Sequence, residues 1–388
     1  MEKHVFWDTQ PVVRSNNQSK IGVVNKKFTK KSNDKVTIIP KVTNWCYFDI
    51  NIPKEFDEIH QFLLKNYKLD DDPFPLEFTK DILKWSLDLR IQDYGVKKLD
   101  SIKYWNLGIR SETGKLIGFI TGVPTHYIIH GKSIDTLTIN YLCVHRNLRS
   151  NGMAAMLIRE LIRVIRETNP IFLTAPMFNA DNLPFKSFCT TKFYYRYLNL
   201  PKLLDTGFAE NEKNDLVFYN KHYSDFPCRK INIRQMQKTD LPQVFKIFKD
   251  NLKNYKVTID FKTIGQFEDY FLRKPIYSYV IVDDNQNITD WVSFYYVPYK
   301  VKNKNQTLIP ANILRIERTK TNLIDLMNNV FLIAKKIGFD FFNCQEMFNI
   351  SDKIDDLKLC YGGVDIDYYT YNYDCGNVNP NEMGVIIP

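Results

Sequence analysis

The run from Leu137 to Ile165 restricts this chain most. Leu137–Val144 reads as an apolar strand ending at His145. Arg149-Ser150-Asn151-Gly152 then opens a helix that carries Leu157, Leu161, Val164 and Ile165 on one side. A strand that passes through a glycine-containing turn into a long amphipathic helix points to an α/β arrangement. It also leaves the first N–H groups of the helix unpaired and aimed outward, where the positive end of the helix dipole favours phosphate. Gly152 allows close backbone approach, and Arg149 can add a charge-assisted bond. An ordinary helix start with an arginine lying along its surface would read the same way.

The rest of the chain extends this pattern. At 388 residues it is long enough for two domains. Residues 13–36 are polar and basic, with a cluster at Lys26, Lys27, Lys30 and Lys31 that suits RNA, a membrane surface or plain solvent. Phe56, Ile59, Phe62, Leu63 and Tyr67 have helical spacing, and a second short helix is expected over 78–87 around Ile82 and Trp85. Strands are expected at Tyr104–Arg110, Leu116–Val123 and 171–175, followed by a turn-rich linker over 205–228. A new unit begins at Lys230 with a strand, a turn and a helix capped around Thr239, Asp240 and Pro242. Strands follow at Ser278–Val282, Trp291–Val297 and Ile313–Glu317, then a helix Leu323–Ile337 stopped by Gly338, then strands over 339–343 and 367–373. Strand–strand–strand–helix–strand occurs in both halves, so a duplicated α/β architecture is expected, although repetition at the level of letters is faint.

Several function classes drop out. No run of about 18 apolar residues is present, so no membrane-spanning helix is expected. MEKHVFWDTQ has no apolar core of a secretory signal, which points to a cytoplasmic protein. The seven cysteines are widely spaced with no C-x-x-C pair, which argues against disulfides and zinc. Cys143 reads as a buried strand thiol rather than a nucleophile. His126 and His130 fall in a strand and turn, not on one helical face, and His145 reads as structural. No G-x-S-x-G appears, so nothing suggests a covalent triad, and direct transfer to an incoming nucleophile is favoured. The net charge of +9 suits a polyanion, a phosphorylated cosubstrate or only a solvated basic surface. Asp70-Asp71-Asp72 lacks the D-x-D-x-[DN]-G spacing of a calcium loop, which leaves recognition of a basic peptide or a solvated loop.

Arg149-x-x-Gly152-x-Ala154 resembles the pyrophosphate loop of acetyltransferase-like (GNAT) folds. Longer blocks resemble protein N-myristoyltransferases: Phe6-Trp7-Asp8-Thr9-Gln10-Pro11-Val12, Asn140-Tyr141-Leu142-Cys143-Val144-His145 continued by Leu148-Arg149-Ser150, Lys335 to Asn343, Tyr368 to Tyr373, and the ending Gly384-Val385-Ile386-Ile387. They occur in the family's order over nearly the whole chain.

This resemblance implies two fused GNAT-like halves forming a saddle-shaped mixed sheet with flanking helices. The acyl-CoA half would be 1–205, the linker 206–229, and the peptide half 230–388. The implied reaction moves myristate from myristoyl-CoA to an N-terminal glycine, with myristoyl-CoA as cosubstrate and no metal. Val5, Phe6, Trp7, Cys143 and Val144 would line the acyl-CoA site, and Arg149, Ser150, Gly152, Met153 and Ala154 its phosphates. Tyr141 and Leu142 would lie at a bulge whose backbone N–H groups stabilise the oxyanion. Asn140 and Thr174 would hold the substrate amine, and the C-terminal carboxylate of Pro388 would act as base. Tyr67, Asp70, Asp71, Asp72, Phe74, Phe193, Tyr195, Ser293, Asn343, Gly363 and Asp365 would form the peptide site. Here the chain departs from the family's pattern: Phe193 and Tyr195 replace a tyrosine and a histidine, an aromatic run is replaced around Ile313-Leu314-Arg315, and the acidic loop reads Tyr361-Gly362-Gly363-Val364-Asp365. Partners would be glycine-initiated peptides and nascent proteins, with possible ribosome association, and the enzyme would be a monomer. The competing readings are a GNAT enzyme for another acyl length and a basic nucleic-acid-binding protein.

Overall fold

The structure is a computed structural model that describes residues 6–14, 20–31, 33–67, 72–87, 105–168, 175–179, 183–210, 222–223 and 225–387. In chain order the main elements are β1 (Thr43–Tyr47), α1 (Pro53–Asn66), α2 (Lys80–Leu87), β2 (Asn106–Ser111), β3 (Leu116–Ile129), β4 (Lys132–Val144), α3 (Met153–Thr168), β5 (Ala175–Asn179), β6 (Cys189–Tyr197) and α4 (Leu200–Thr206). After these come β7 (Ile233–Gln235), α5 (Leu241–Asn251), β8 (Val257–Asp260), α6 (Ile264–Phe271), β9 (Tyr277–Val282), β10 (Ile288–Tyr295), β11 (Pro310–Glu317), α7 (Leu323–Ile337), β12 (Phe341–Gln345), β13 (Cys360–Tyr371) and β14 (Met383–Gly384).

The strands make two mixed sheets with helices packed on them. One runs β14-β8-β3-β2-β1, with β4 paired to the other edge of β3. The other runs β5-β13-β6-β12-β11-β10-β9-β7. Each sheet borrows from both ends of the chain: β8 and β14 extend the first, and β13 lies between β5 and β6 in the second. The two halves are therefore interleaved through backbone hydrogen bonds, and one apolar core runs from α1 through β3 to α7 and the final residues.

Local chemistry accounts for the element ends. Proline sits in the first turn of α1 and of α5, where its missing N–H is no loss. Asp240 closes a capping box with Gln237 ahead of α5. Gly338 ends α7 at φ 107°, a conformation that costs glycine nothing, and its N–H bonds back to Ala334 and Lys335. The expected strand Leu116–Val123 continues to Ile129, because β3 and β4 pair along nearly their whole length around His130-Gly131. Both turn residues have positive φ, 48° and 74°, as a tight two-residue hairpin requires. β1, β6, α4, β8, α6 and β14 were not expected from the sequence; these strands gain their identity from partners far along the chain.

Candidate functional site

The first half of the site is a defect in a hairpin. Phe119 pairs with Cys143 and Thr121 with Asn140, so Tyr141 and Leu142 together stand opposite Ile120. This is a β-bulge, and Tyr141 takes φ 51° to make it. The bulge expected at these two residues is present. The ladder carries no pair for either residue; the Tyr141 N–H turns instead to the Oδ1 of Asn140 at 2.9 Å. The Tyr141 phenol points away into the core. It meets Ser86 Oγ at 2.7 Å and lies edge-on to Tyr67 and Phe78. Burial drives its pKa well up, that of Tyr67 up to about 12 and that of Cys143 up to about 12, so these groups stay protonated.

The strand leads straight into the helix cradle. Ser150 and Gly152 both have positive φ, 68° and 72°, and α3 begins at Met153, with Ala154 in its first turn. No atom lies within 4 Å of where a Gly152 side chain would project. Positive-φ residues on either side of Asn151, just ahead of a helix, curve the backbone into a concave set of N–H donors suited to an anion. Arg149 turns toward the end of α1, where Nη2 donates to the Asn66 carbonyl at 2.5 Å. Phe6 is brought to the same helix, with the Arg159 guanidinium of α3 5.1 Å from its ring centre, and Trp7 beside it packs on Phe185 at 4.8 Å.

The chain's last described residues close the other side. On β3, β2 pairs up to Thr121 and β8 begins at His126, on the edge opposite β4. Beside this gap lies a cavity of about 30 Å³, room for about one water. Its lining includes Ser86, Thr125, Thr138, Asn140 and Ile387. Val385, Ile386 and Ile387 are buried to 4%, 3% and 6% exposure, so the C-terminal segment is threaded into the core next to the bulge.

Most peptide-site candidates gather elsewhere in one aromatic cluster. Phe74 and Tyr195 both pack on Phe208, at 5.2 and 5.3 Å, and Tyr195 also meets Phe341 at 5.4 Å and Phe193 at 5.8 Å. Asn343 stands opposite Tyr195 and donates to Asn312 Oδ1 at 2.6 Å, while its own Oδ1 is buried without a partner. Asp72 accepts the Phe74 N–H at 2.8 Å. The loop with Gly363 at φ 74° runs beside Phe193 and Tyr195, and Asp365 is exposed and holds the Tyr361 hydroxyl. Tyr67 instead packs at the bulge, and Ser293 bonds to Ser278 on β9. Val5, Asp70, Asp71, Thr174 and Pro388 lie outside the described residues. Ser86, Thr125, Thr138, Asn312, Phe208 and Tyr299, which packs on Phe208 and Phe341, were missed, since each becomes a site residue only through packing; the two-residue spacing of Val123, Thr125 and Tyr127, which puts all three on one face of β3, was an available signal.

Among the described residues no group of three or more histidine, cysteine or acidic side chains could hold a metal, and no helix is long and apolar enough to cross a membrane. Family models of the myristoyl-CoA:protein N-myristoyltransferase N-terminal and C-terminal domains match residues 23–183 and 206–386. A glycylpeptide N-tetradecanoyltransferase of Dictyostelium discoideum is 32% identical over 99% of this chain and 92% of its own length. One from Plasmodium falciparum is 30% identical over 98% of this chain and 93% of its own. The crystal structure of Saccharomyces cerevisiae N-myristoyltransferase with bound myristoyl-CoA superposes with a TM-score of 0.87 at 25% identity, covering 100% of this chain and 97% of that one.

Proposed function

The chain belongs to the myristoyl-CoA:protein N-myristoyltransferase family, and on that premise we propose how its residues carry out the transfer. Its activity is that of a glycylpeptide N-tetradecanoyltransferase: myristate passes from myristoyl-CoA to the N-terminal glycine amine of a protein. This sets aside both the nucleic-acid reading and a GNAT enzyme of another acyl length.

The backbone N–H groups of Tyr141 and Leu142 receive the thioester oxygen as it becomes an oxyanion, the Asn140 amide giving up its hold on the first of them. Phe6, Trp7, Cys143 and Val144, with Val5, line the acyl-CoA site, and Arg149, Ser150, Gly152, Met153 and Ala154 cradle the phosphates. Asn140 and Thr174 hold the incoming amine. That amine has an ordinary pKa near 8 and arrives protonated. The carboxylate of Pro388 accepts its proton, a step that contributes about 10²–10⁴-fold. The neutral nitrogen then bonds to the thioester carbon, the carbon–sulfur bond breaks, and a second nitrogen proton leaves with the thiolate as CoA thiol.

We assign acyl-CoA binding to residues 1–205, a linker to 206–229, and peptide binding to 230–388. Phe74, Phe193, Tyr195, Asn343, Gly363 and Asp365 would contact the peptide body, Tyr67 and Ser293 its first residues, and Asp70, Asp71 and Asp72 a basic side chain. A cytoplasmic monomer acting in lipoprotein biosynthesis on nascent chains fits the charge of +9, which suits ribosomal RNA.

The burial of Val385–Ile387 against the cavity lined by Asn140 carries the mechanism. Extending the chain past Pro388 by a short tag should cut kcat by about 100-fold or more and leave myristoyl-CoA affinity unchanged. A tagged enzyme with full turnover would remove Pro388 from the reaction.

A further inference from the structure

We infer that Arg315 and Glu317 are positioning residues for the transfer, locking the C-terminal segment at Gly384 so that the residues after it enter the core beside the bulge. The catalytic part of this inference rests on the reading of Pro388 as the base.

Arg315 and Glu317 lie two apart on β11, facing the same side, and both are at most 2% exposed. The Arg315 Nε donates to Glu317 Oε1 at 2.6 Å, and Asn251 Nδ2 donates to the other carboxylate oxygen at 2.8 Å. Nη1 reaches the Thr258 hydroxyl at 2.9 Å and the carbonyl of Gly384. The guanidinium is sandwiched among aromatic rings, 4.6 Å from the centre of Tyr255 and 5.1 Å from that of Phe248. Burying this charge is costly unless it is paired, and Glu317 supplies the pairing: Nη2 lies 2.5 Å from Glu317 Oε1 as an ion-pair contact, although it makes no aligned hydrogen bond of its own.

Gly384 is fitted to this clamp. A Cβ there would come within 2.6 Å of Thr258 Oγ1, 2.7 Å of the Tyr255 ring and 2.8 Å of Arg315 Nη1. Thr258 Oγ1 also donates to the Gly384 carbonyl at 2.8 Å, and Gly384 pairs with Thr258 in the short parallel ladder of β14 and β8. The segment is thus held by backbone pairing on one side and by a fixed cation on the carbonyl. Within three residues it has delivered Ile387 to the cavity. A displacement of about 1 Å in a reacting group can cost 10²-fold in rate, so a rigid anchor this close to the end bears directly on turnover.

The test compares three full-length variants with the parent. Arg315→Met/Glu317→Met removes both charges together and avoids leaving one buried and unpaired; Gly384→Ala forces the carbonyl off the clamp; Arg315→Lys keeps the charge but loses the fork. Two readouts are taken: hydrogen exchange at the amides of Val385–Ile387, and kcat against the KM for myristoyl-CoA. For the double variant and Gly384→Ala, exchange at the tail should accelerate at least about 10-fold while exchange across α3 is unchanged. Their kcat should drop about 10-fold or more with KM within about twofold, against a general base worth about 10²–10⁴-fold; Arg315→Lys should lie between. Unchanged tail protection overturns the anchoring inference itself. A freed tail with parental kcat overturns the role of the segment in catalysis, and the base assignment with it.

Discussion

Changing Tyr141 to Phe separates the backbone from the side chain at the bulge. The phenol loses its bond to Ser86 Oγ, 2.7 Å long. Ser86 keeps its own donation to the Leu83 carbonyl at 3.2 Å, so no donor is stranded. The ring keeps its edge contacts with Tyr67 and Phe78, at 5.9 and 5.4 Å. The stability cost is therefore that of one buried neutral hydrogen bond, about 1 kcal/mol. In a chain of 388 residues that lowers Tm by about 1–2 °C. If the oxyanion donors are the N–H groups of residues 141 and 142, kcat should stay within about twofold, because the φ of 51° is set by the strand register and not by the hydroxyl. Removing a true oxyanion donor instead costs about 10²–10³ in kcat. The two outcomes differ by two orders of magnitude, and the alternative is chemically real, since Ser86 lines the same cavity as Asn140 and Ile387. Steady-state kcat with saturating glycine-initiated peptide, read beside a thermal melt, decides between them. A 100-fold loss of kcat with an unchanged melt would refute the backbone assignment.

Two further outcomes can be checked directly. Burial alone would raise the Asp290 carboxyl, but donations from Thr321, Thr289, Lys320 and Thr319 outweigh it and hold the pKa below the ordinary value. A depressed folded pKa stabilises above the unfolded value near 3.9 and is lost as pH falls through the folded one. Asp290→Asn should therefore cost about 2 kcal/mol in denaturant melts at pH 7, with the gap to the parent closing below about pH 4; a gap independent of pH would show that charge plays no part. For the acidic loop, Asp70, Asp71 and Asp72 changed together to Asn should raise KM for lysine-containing peptides several-fold while sparing peptides without that lysine, and equal effects on both would return the loop to a solvated turn.

What could be read from letters was local. The first half of β3 and the second half of β4, the Arg149–Ala154 turn, α7 with its Gly338 stop and the capped start of α5 follow from hydrophobic period and from single residues with special backbone freedom, so they were legible, whereas the joining of the two strands into one long hairpin was not. The bulge at Tyr141 and Leu142 was reached only through family resemblance, since neither residue type favours φ above zero; pairing of β3 with β4 on either side leaves the extra residue nowhere else to go.

Reaction class and family were thus determined by the sequence itself, in the ordered blocks from Phe6 to Ile387. Tertiary structure alone decided which residues share a site. Ile387 lines one cavity with Asn140, and Gly384 meets Arg315, across large separations in the chain. Arg315 registered in the sequence only as a departure from an aromatic run; its partner Glu317 and its carbonyl target appear once β11 is set against β8 and β14. Spacing along a strand says which face a residue takes, but not what the other half of the chain will place against that face.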